Sequence, residues 1–154
     1  MGERTNSTER ERIAQLGPVC VCNNLRRAAR AVTNYYDQVL GPVGLRVSQL
    51  TLLVVLYRAG PQTINEASEK LALDRTTLTR NLKPLAQNGL LTVAPGSDQR
   101  TRVVTLTTRG EEVLMRALPI WEQAQARMVA GLGEAGVANL LTRLSEVAVL
   151  AGED

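Results

Sequence analysis

One helical stretch carries side chains suited to binding nucleic acid. In the segment 74–87, with about 100° between successive residues, Leu78, Leu82 and Leu85 form one apolar stripe. The opposite face carries hydroxyls, an amide and cations but no carboxylate: Thr76, Thr79, Arg80, Lys83 and Gln87. Such side chains can bind base edges and phosphates in a major groove, where a carboxylate would be repelled. For this helix taken alone, an ordinary solvated surface explains the pattern as well as a DNA-binding face does.

A second, shorter helix is predicted immediately before this one. Thr63 and Glu66 are spaced as a capping box, in which each side chain bonds the other residue's backbone amide. After a turn at Ala72 and Leu73, Asp74 is a good N-cap for the longer helix. The two helices therefore have the pattern of a helix-turn-helix.

A β-hairpin with a basic tip is predicted after the second helix. The β-prone runs 91–93 and 103–106 are joined by the turn sequence PGSDQR. Arg100 and Arg102 stand at or beside the tip, where a guanidinium can enter a narrow minor groove. We expect Asp98 to hold an arginine in place, because a free carboxylate there would repel DNA.

Positive charge is concentrated in the part of the chain that holds this helix and hairpin. From Asp74 to Arg109 there are six lysines and arginines against two acids, an excess larger than the whole-chain net charge of +3. The isoelectric point near 9.2 agrees with a polyanionic partner. We therefore predict a winged helix-turn-helix that binds double-stranded DNA, with Arg75 on phosphate at the helix start.

The same stretch resembles the MarR family of bacterial transcription regulators. The similarity is carried by LALDRTTLTRNLKPLAQNGLL and by SDQR followed by VVTLTTRG. The family's wing signature, Asp-x-Arg and then a strand ending Leu-Thr-x-x-Gly, is present as Asp98, Arg100, Leu106, Thr107 and Gly110. The resemblance extends from about residue 18 to 150. It implies a dimer that binds a pseudo-palindromic operator and is released by a small molecule or by oxidation.

Length and composition describe one globular domain of 154 residues, with 44% hydrophobic and 21% charged residues. No signal peptide or membrane-length apolar run is present, and two cysteines without a secretory signal suit a reducing cytosol. We expect a cytoplasmic protein with no membrane partner. The chain has no Phe and a single Trp, so stacking on single-stranded bases is a poor model of binding.

The predicted fold is mainly α with a small β-hairpin wing. A tail and dimerisation helix (1–40) precede the winged helix-turn-helix lobe (45–107), and C-terminal dimerisation helices follow (108–154), all in one compact unit. Each flanking helix has an apolar stripe that the small lobe cannot cover, so we expect a two-fold homodimer. A monomer with a compact terminal bundle is the alternative. In a dimer the recognition helices lie about one DNA turn apart, which requires a near-palindromic operator.

Several boundaries follow from local signals. A polar first segment is expected to form a helix from Thr8 that Gly17 ends, with Pro18 in the first turn of the next helix. Ser48 is the expected cap of the helix before the lobe, and Thr108 of the helix after the wing. Pro84 is expected to bend the recognition helix, and Pro119 to kink the helix after the wing.

Catalysis and metal binding are poor interpretations of this sequence. There is no His, which removes the usual general base and zinc ligand, so we expect no enzyme, no metal and no cofactor. Cys20 and Cys22 do not have zinc-site spacing, and their geometry does not favour bridging each other. They lie in the first turns after Pro18, where a helix N-terminus favours the thiolate.

The resemblance has a sharper form at these cysteines. The organic-hydroperoxide-sensing branch of the family has a cysteine in the first long helix and a tyrosine fourteen residues later, as Cys22 and Tyr36 are here. A second tyrosine of that branch is replaced by Val47. Oxidation sensing at Cys22, with Cys20 as the neighbouring thiol, is therefore one hypothesis, and Cys22 as a small buried apolar residue is the other.

The ordinary family mechanism implies a small aromatic effector bound in a cleft beside the DNA-binding lobe. Tyr36, Tyr57 and Trp121 are candidates to line such a cleft, although aromatic residues at helical spacing are more often core. We expect a transcription regulator, specifically a repressor. The rivals are a winged-helix scaffold for protein interactions and a thiol enzyme that uses Cys22.

Overall fold

The computed structural model describes residues 7–98 and 100–152, and it confirms a mainly helical fold with a small antiparallel sheet. Residues 1–6 of the predicted tail and Gln99 of the predicted turn lie outside the described residues. The helices are α1 Ser7–Val19, α2 Val21–Leu40, α3 Val47–Ala59, α4 Ile64–Lys70, α5 Arg75–Gln87, α6 Thr108–Leu132 and α7 Glu134–Leu150, with a short 3-10 turn at Gly41–Val43. The strands are β1 Gln62–Thr63, β2 Leu91–Pro95 and β3 Arg102–Leu106.

The sheet has three strands in the order β1-β3-β2, all antiparallel. The β2–β3 hairpin pairs Leu91 with Leu106 at its base and Pro95 with Arg102 near its tip. Strand β1 was not predicted, because two residues are too short to show an alternating pattern. Its pairing of Gln62 with Val104 attaches the wing to the segment that enters α4.

The core is built around α3. Its four buried leucines pack with the apolar stripe of α5, the middle of β3 and the first turns of α6, and the buried side chains are Leu50, Leu52, Leu53, Leu56, Leu78, Leu82, Leu85, Val104, Val113 and Leu114. Each such side chain stabilises the fold by about 1.5–3 kcal/mol relative to exposure. The predicted stripe of the recognition helix is therefore confirmed as its buried face.

A tight junction connects the wing to α6. Thr107 is the N-cap of α6: its hydroxyl accepts from the Gly110 amide at 3.0 Å and donates to the Gly89 carbonyl at 2.7 Å. The Thr107 amide also donates to the Leu90 carbonyl at 3.1 Å. A Cβ on Gly110 would lie 2.1 Å from the Leu90 carbonyl oxygen, so only glycine allows this approach.

The break between α1 and α2 differs from the prediction. Gly17 does not end the first helix, and Pro18 lies in its last turn instead of starting the next one. The chain breaks at Cys20, the N-cap residue of α2, which has extended backbone angles. The side-chain amides of Asn23 and Asn24 donate to the carbonyls of Gly17 and Pro18, at 3.2 and 2.9 Å. These bonds satisfy carbonyls that the break would leave unpaired.

Two other predicted caps were wrong by one or two residues. Helix α3 begins at Val47, whose amide donates to the Asp37 carboxylate of α2 at 2.7 Å, so its first turn is fixed by a neighbouring helix and not by Ser48. Helix α6 is capped by Thr107 and not by Thr108, because β3 leads directly into the junction. Helix α5 runs through Pro84 and α6 through Pro119. A bend or kink at either proline stays a prediction.

The flanking helices expose much apolar surface. Helix α7 buries none of its side chains, and Leu141 is 58% exposed. In α1, Ile13, Leu16 and Val19 are 62–70% exposed. Among the described residues, no single helix is long and apolar enough to cross a membrane. Segment 9–43 and α3 reach that length and apolar character only when they are taken together as a bent pair. Helix α3, however, is the buried core helix of the fold.

We predict that Gly110→Ala lowers the free energy of unfolding by about 1–3 kcal/mol, because the new Cβ forces the junction apart. Denaturant unfolding at a fixed protein concentration measures it. Gly131→Ala is the matched control, since it lies in the same helix with no atom within 4 Å of its Cβ. That control should be neutral or stabilising by up to about 1 kcal/mol. Equal effects of the two substitutions would contradict a tight junction.

Candidate nucleic-acid interface

Local hydrogen bonds fix the start of the recognition helix α5. The Asp74 carboxylate accepts from the Thr77 amide at 2.9 Å and from the Thr77 hydroxyl at 2.6 Å. These bonds, the hydroxyl first, hold the pKa of Asp74 below its ordinary value. In α4, the Thr63–Glu66 capping box is present as predicted, and its bonds, first that from the Thr63 amide, likewise lower the pKa of Glu66. Both carboxylates are therefore charged at neutral pH.

The structure brings the helix candidates together on one exposed face. They line a shallow groove of about 610 Å³ beside the wing, with Ile64 of α4 and Val93 of β2 on its walls. The candidates that share this groove are Arg75, Thr76, Thr79, Arg80 and Lys83, and all five are exposed. Ile64 and Val93 were not singled out in the sequence, because their neighbourhood depends on how α4 and β2 pack on α5.

The two threonines of this face differ in hydrogen bonding. The Thr79 hydroxyl donates to the Arg75 carbonyl at 2.7 Å, so its proton is used inside the helix and only its lone pairs remain for a partner. Within the described residues, the Thr76 hydroxyl has no hydrogen-bond partner, so it can donate or accept. Thr79 is therefore suited to accepting from a base amino group, while its methyl group is free to contact a thymine methyl.

Asp98 orders the turn at the tip of the wing through backbone contacts. Its carboxylate accepts from the backbone amide of Arg100 at 2.9 Å, and its carbonyl accepts from the amide and hydroxyl of Thr101 at 2.8 and 2.7 Å. Within the described residues the carboxylate has no ion pair with a guanidinium, so it holds Arg100 through that residue's backbone amide. Gly96 is required beside this turn, since a Cβ there would lie 2.4 Å from the Thr101 hydroxyl oxygen.

The cations of the helix and wing are free to meet an external anion. Arg100 lies in the wing turn and Arg102 is the first residue of β3, and both are exposed. Within residues 7–98 and 100–152, the one ion pair joins Arg143 to Glu146 on α7, at 2.7 Å. The positive charge of α5 and the wing is therefore not neutralised by nearby carboxylates of those residues.

The redox candidates are separated along one continuous helix. Cys20 and Cys22 are free and exposed, so the buried interpretation of Cys22 is wrong for the single chain. Tyr36 is buried, and its hydroxyl donates to the Gln125 amide oxygen of α6 at 2.8 Å. Burial, followed by the charge of Tyr35, raises the pKa of Tyr36, so this hydroxyl stays protonated. Fourteen residues of helix separate Cys22 from Tyr36 by about 21 Å. The two cannot meet within one chain.

The structure places two of the three candidate cleft residues in one groove and the third outside it. Tyr57 and Trp121 line an apolar groove of about 470 Å³ between α3 and α6, whereas Tyr36 does not, because it is used in packing α2 on α6. The groove also has walls that the sequence did not single out: Val47, Leu50, Val54, Leu114, Met115 and Leu118. Among the described residues, Arg58 is the one cation that lines it. We name this feature the α3–α6 groove.

Comparison with known proteins identifies related sequences. A family model described as MarR family matches residues 43–101. The chain is 30% identical over 101 residues to an organic hydroperoxide resistance transcriptional regulator of Bacillus subtilis, covering 65% of this chain and 69% of that protein. It is 32% identical over 90 residues to an uncharacterised HTH-type transcriptional regulator, YwoH, of the same organism, covering 58% of this chain and 66% of that one.

Solved structures give the same result. The transcriptional regulator MOSR of M. tuberculosis, in complex with DNA, is 34% identical, with 86% of this chain and 98% of that chain covered and a TM-score of 0.75. The transcriptional repressor CouR bound to a DNA duplex is 27% identical, with 83% and 92% covered and a TM-score of 0.76. Sequence similarity of this extent, together with the winged helix-turn-helix, shows that the chain belongs to the MarR family of DNA-binding transcription regulators.

Proposed function

We propose that this regulator is a homodimeric repressor that binds a near-palindromic operator and is released by a small aromatic ligand or by cysteine oxidation. The observation that carries the proposal is the exposed face of α5, which has cations and hydroxyls without a carboxylate and lies beside a basic wing. Relatives named as regulators, including one bound to DNA, support a role in transcription.

The proposed contacts divide between bases and phosphates. Thr76, Thr79, Arg80 and Lys83 enter the major groove, where arginine reads guanine and a threonine methyl contacts thymine. Arg75, in the first turn of α5, contacts phosphate together with free backbone amides of the helix start. Arg100 enters the minor groove, Arg102 supports it from the start of β3, and Asp98 holds the turn that aims Arg100.

The proposed dimer rests on the uncovered apolar faces. Soluble monomers rarely expose large contiguous apolar patches, yet α1 and α7 each leave several large apolar side chains open. In the proposed assembly the N-terminal segment 1–40 and the C-terminal segment 108–154 bury these faces against a second copy. The lobe 45–107 of each copy then lies to one side of this interface, so that the two α5 helices face the same side of a DNA duplex.

The oxidation trigger requires the second copy. Because Cys22 and Tyr36 are about 21 Å apart in one chain, a thiol–tyrosine contact can form only between copies whose α2 helices run antiparallel. The Cys22 thiolate would then attack a hydroperoxide oxygen, giving a sulfenic acid and the alcohol of the oxidant. One relative is named an organic hydroperoxide resistance regulator, which favours this trigger. Val47, where that branch has a second tyrosine, leaves one fewer hydroxyl to activate the thiol.

The ligand trigger uses the α3–α6 groove. Its apolar walls and its indole and phenol side chains fit a small aromatic effector, and Arg58 can pair with an acidic group. The same groove adjoins α6, the helix that follows the wing directly, so a bound molecule could change the orientation of the lobe. A protein-interaction scaffold remains the rival function. An absence of salt-sensitive duplex binding would favour that scaffold. Catalytic turnover of peroxide would instead favour a thiol enzyme.

We predict that Arg100→Ala weakens binding to the duplex upstream of this regulator's own gene. The plot of log affinity against log salt should also become less steep by about 0.9, because one phosphate fewer is neutralised by the protein. Fluorescence anisotropy across a salt series measures both. Arg116→Ala, which removes an equal charge from exposed α6, is the control and should leave both unchanged. An unaltered slope for Arg100→Ala would remove the wing tip from the interface.

We predict that Asp74→Ala weakens operator binding by fraying the first turn of α5, whereas Asp74→Asn retains it, because Asn also caps well. The bonds from Thr77 lower the pKa of Asp74 on folding, so their contribution to folding stability is present above the ordinary pKa of the carboxyl and is lost as pH falls through the lower folded value. Wild-type binding should therefore be insensitive to this group near neutral pH. A loss as large for Asp74→Asn as for Asp74→Ala would contradict a capping role.

We predict that treatment with an organic hydroperoxide abolishes operator binding and that a thiol reductant restores it. Cys22→Ser should bind DNA but no longer respond, while Cys20→Ser keeps most of the response. Gel-shift titration of reduced and oxidised protein measures the effect. A full response in Cys22→Ser would assign sensing elsewhere, and equal binding in both redox states of the wild type would leave the aromatic ligand as the trigger.

A further inference from the structure

A polar groove of about 790 Å³ lies on the side of the recognition helix that faces α2. The residues that matter here are Asn34 and Gln38 of α2, Arg46 and Gln49 at the start of α3, and Pro84 and Asn88 at the end of α5. We name this feature the α2–α5 groove. None of these six residues belongs to the DNA contacts or to the effector site proposed above.

The α2–α5 groove adjoins the recognition face on the side away from the wing. Arg80 lines the recognition groove, and Pro84, one helical turn later, lines the α2–α5 groove. On the wing side, Val93 of β2 lines the recognition groove together with Ala86. Pro84 is two residues before Ala86, which places it about 200° around α5 from that residue. The wing and the α2–α5 groove therefore flank the recognition face on opposite sides.

A recognition helix inside a major groove has a phosphate backbone on each side. The groove is about 12 Å wide, and a helix with its side chains is about as thick. In the proposed complex the wing crosses one of these two backbones to reach the minor groove. The surface that lies toward the second backbone is the α2–α5 groove.

This groove has a cation and side-chain amides that can hold a phosphate. Arg46 is exposed and has no ion pair among the described residues. The Gln49 side-chain oxygen accepts from the Arg46 backbone amide at 2.9 Å, so the nitrogen of the same side chain is left to donate elsewhere. The Asn88 side chain is exposed at the rim. Guanidinium and amide donors of this kind are typical of contacts to the DNA backbone.

The carboxylate of the groove is engaged inside the protein. Asp37, the one acid that lines it among the described residues, is half-buried and accepts from the Val47 amide at 2.7 Å. Its negative charge lies against the first turn of α3, where the helix dipole offsets it. Arg46, next to Val47, is exposed. An approaching phosphate therefore meets the guanidinium and the amides before it meets the carboxylate.

We propose that the α2–α5 groove binds the phosphate backbone of the operator on the side of α5 away from the wing. Arg46 pairs with a phosphate there, and the amides of Gln49 and Asn88 donate to the same strand. The inference rests on the duplex binding proposed above and adds a sequence-independent contact surface to it. With the wing on one backbone and this groove on the other, α5 is held in place between the two strands.

The salt dependence of binding tests this contact. Arg46→Ala should weaken binding to the duplex upstream of the regulator's own gene and to an unrelated duplex of equal length by the same factor, because phosphate contacts carry no sequence information. The slope of log affinity against log salt should fall by about 0.9, which corresponds to about eightfold in affinity near 0.1 M salt. Arg46→Lys keeps the charge and should keep the slope. Arg116→Ala, on exposed α6, is the control and should change neither quantity.

Ethylation of single operator phosphates shows whether the contact is direct. An ethyl group removes the phosphate charge, so it should weaken wild-type binding at the phosphate that Arg46 contacts and cause no further loss in Arg46→Ala. The same interference pattern in both proteins, an unchanged salt slope, or a loss confined to the operator overturns the groove contact and leaves duplex binding by α5 and the wing intact. A wild-type protein without salt-sensitive duplex binding overturns the proposed function as well.

Discussion

One junction fixes the DNA-binding lobe on the long helix α6. It is formed by Thr107 and Gly110 against the residues that follow α5. Strand β3 ends at Leu106 and α6 begins at Thr108, so a single residue separates the wing from the long helix. Thr107 uses its amide and its hydroxyl to bind the carbonyls of Leu90 and Gly89, which follow α5. There is no flexible linker at this point. A rotation of α6 must therefore move the wing and α5 together.

A second set of contacts attaches α2 to the same long helix. Tyr36 binds Gln125, and the neighbouring Tyr35 ring meets Tyr36 edge to face at 5.6 Å and lies under the Arg127 guanidinium at 5.0 Å. A buried phenol must keep its hydrogen bond, so this pair is costly to separate. The C-terminal half of α2 is thus held on the middle of α6. Through the Thr107 junction, these two helices are also joined to the DNA-binding lobe.

Features set by local interactions could be predicted from the sequence. The caps at Thr63 and Asp74 depend on residues three positions apart, and successive leucines of the buried stripe of α5 are three or four positions apart; the structure has all of these as expected. Asp98 was expected to hold an arginine in place, and its carboxylate binds Arg100 through the backbone amide two residues away, a local contact whose exact form the sequence did not specify.

Features set by packing between distant segments could not be predicted, because their partners are far away in the chain. Strand β1 exists because β3 offers it a partner, and the Val47 amide in the first turn of α3 is bound by Asp37 of α2. The walls of the α3–α6 groove come from two helices about sixty residues apart in the chain. Tyr36, Tyr57 and Trp121 were candidates for the cleft because they are aromatic, but the sequence could not show that Tyr36 turns away toward Gln125.

The two proposed triggers would act at different places on this connected structure. Cys22 lies near the start of α2, about 21 Å of helix away from Tyr36, whereas the α3–α6 groove is lined by α6 directly. A hundredfold loss of operator affinity requires about 2.8 kcal/mol of coupling free energy between the trigger and the operator. A ligand in the groove can supply that free energy only through contacts that differ between the operator-bound and the released conformation. Because the Tyr36–Gln125 contact opposes separation of α2 from α6, the proposed change would have to keep these two helices packed together.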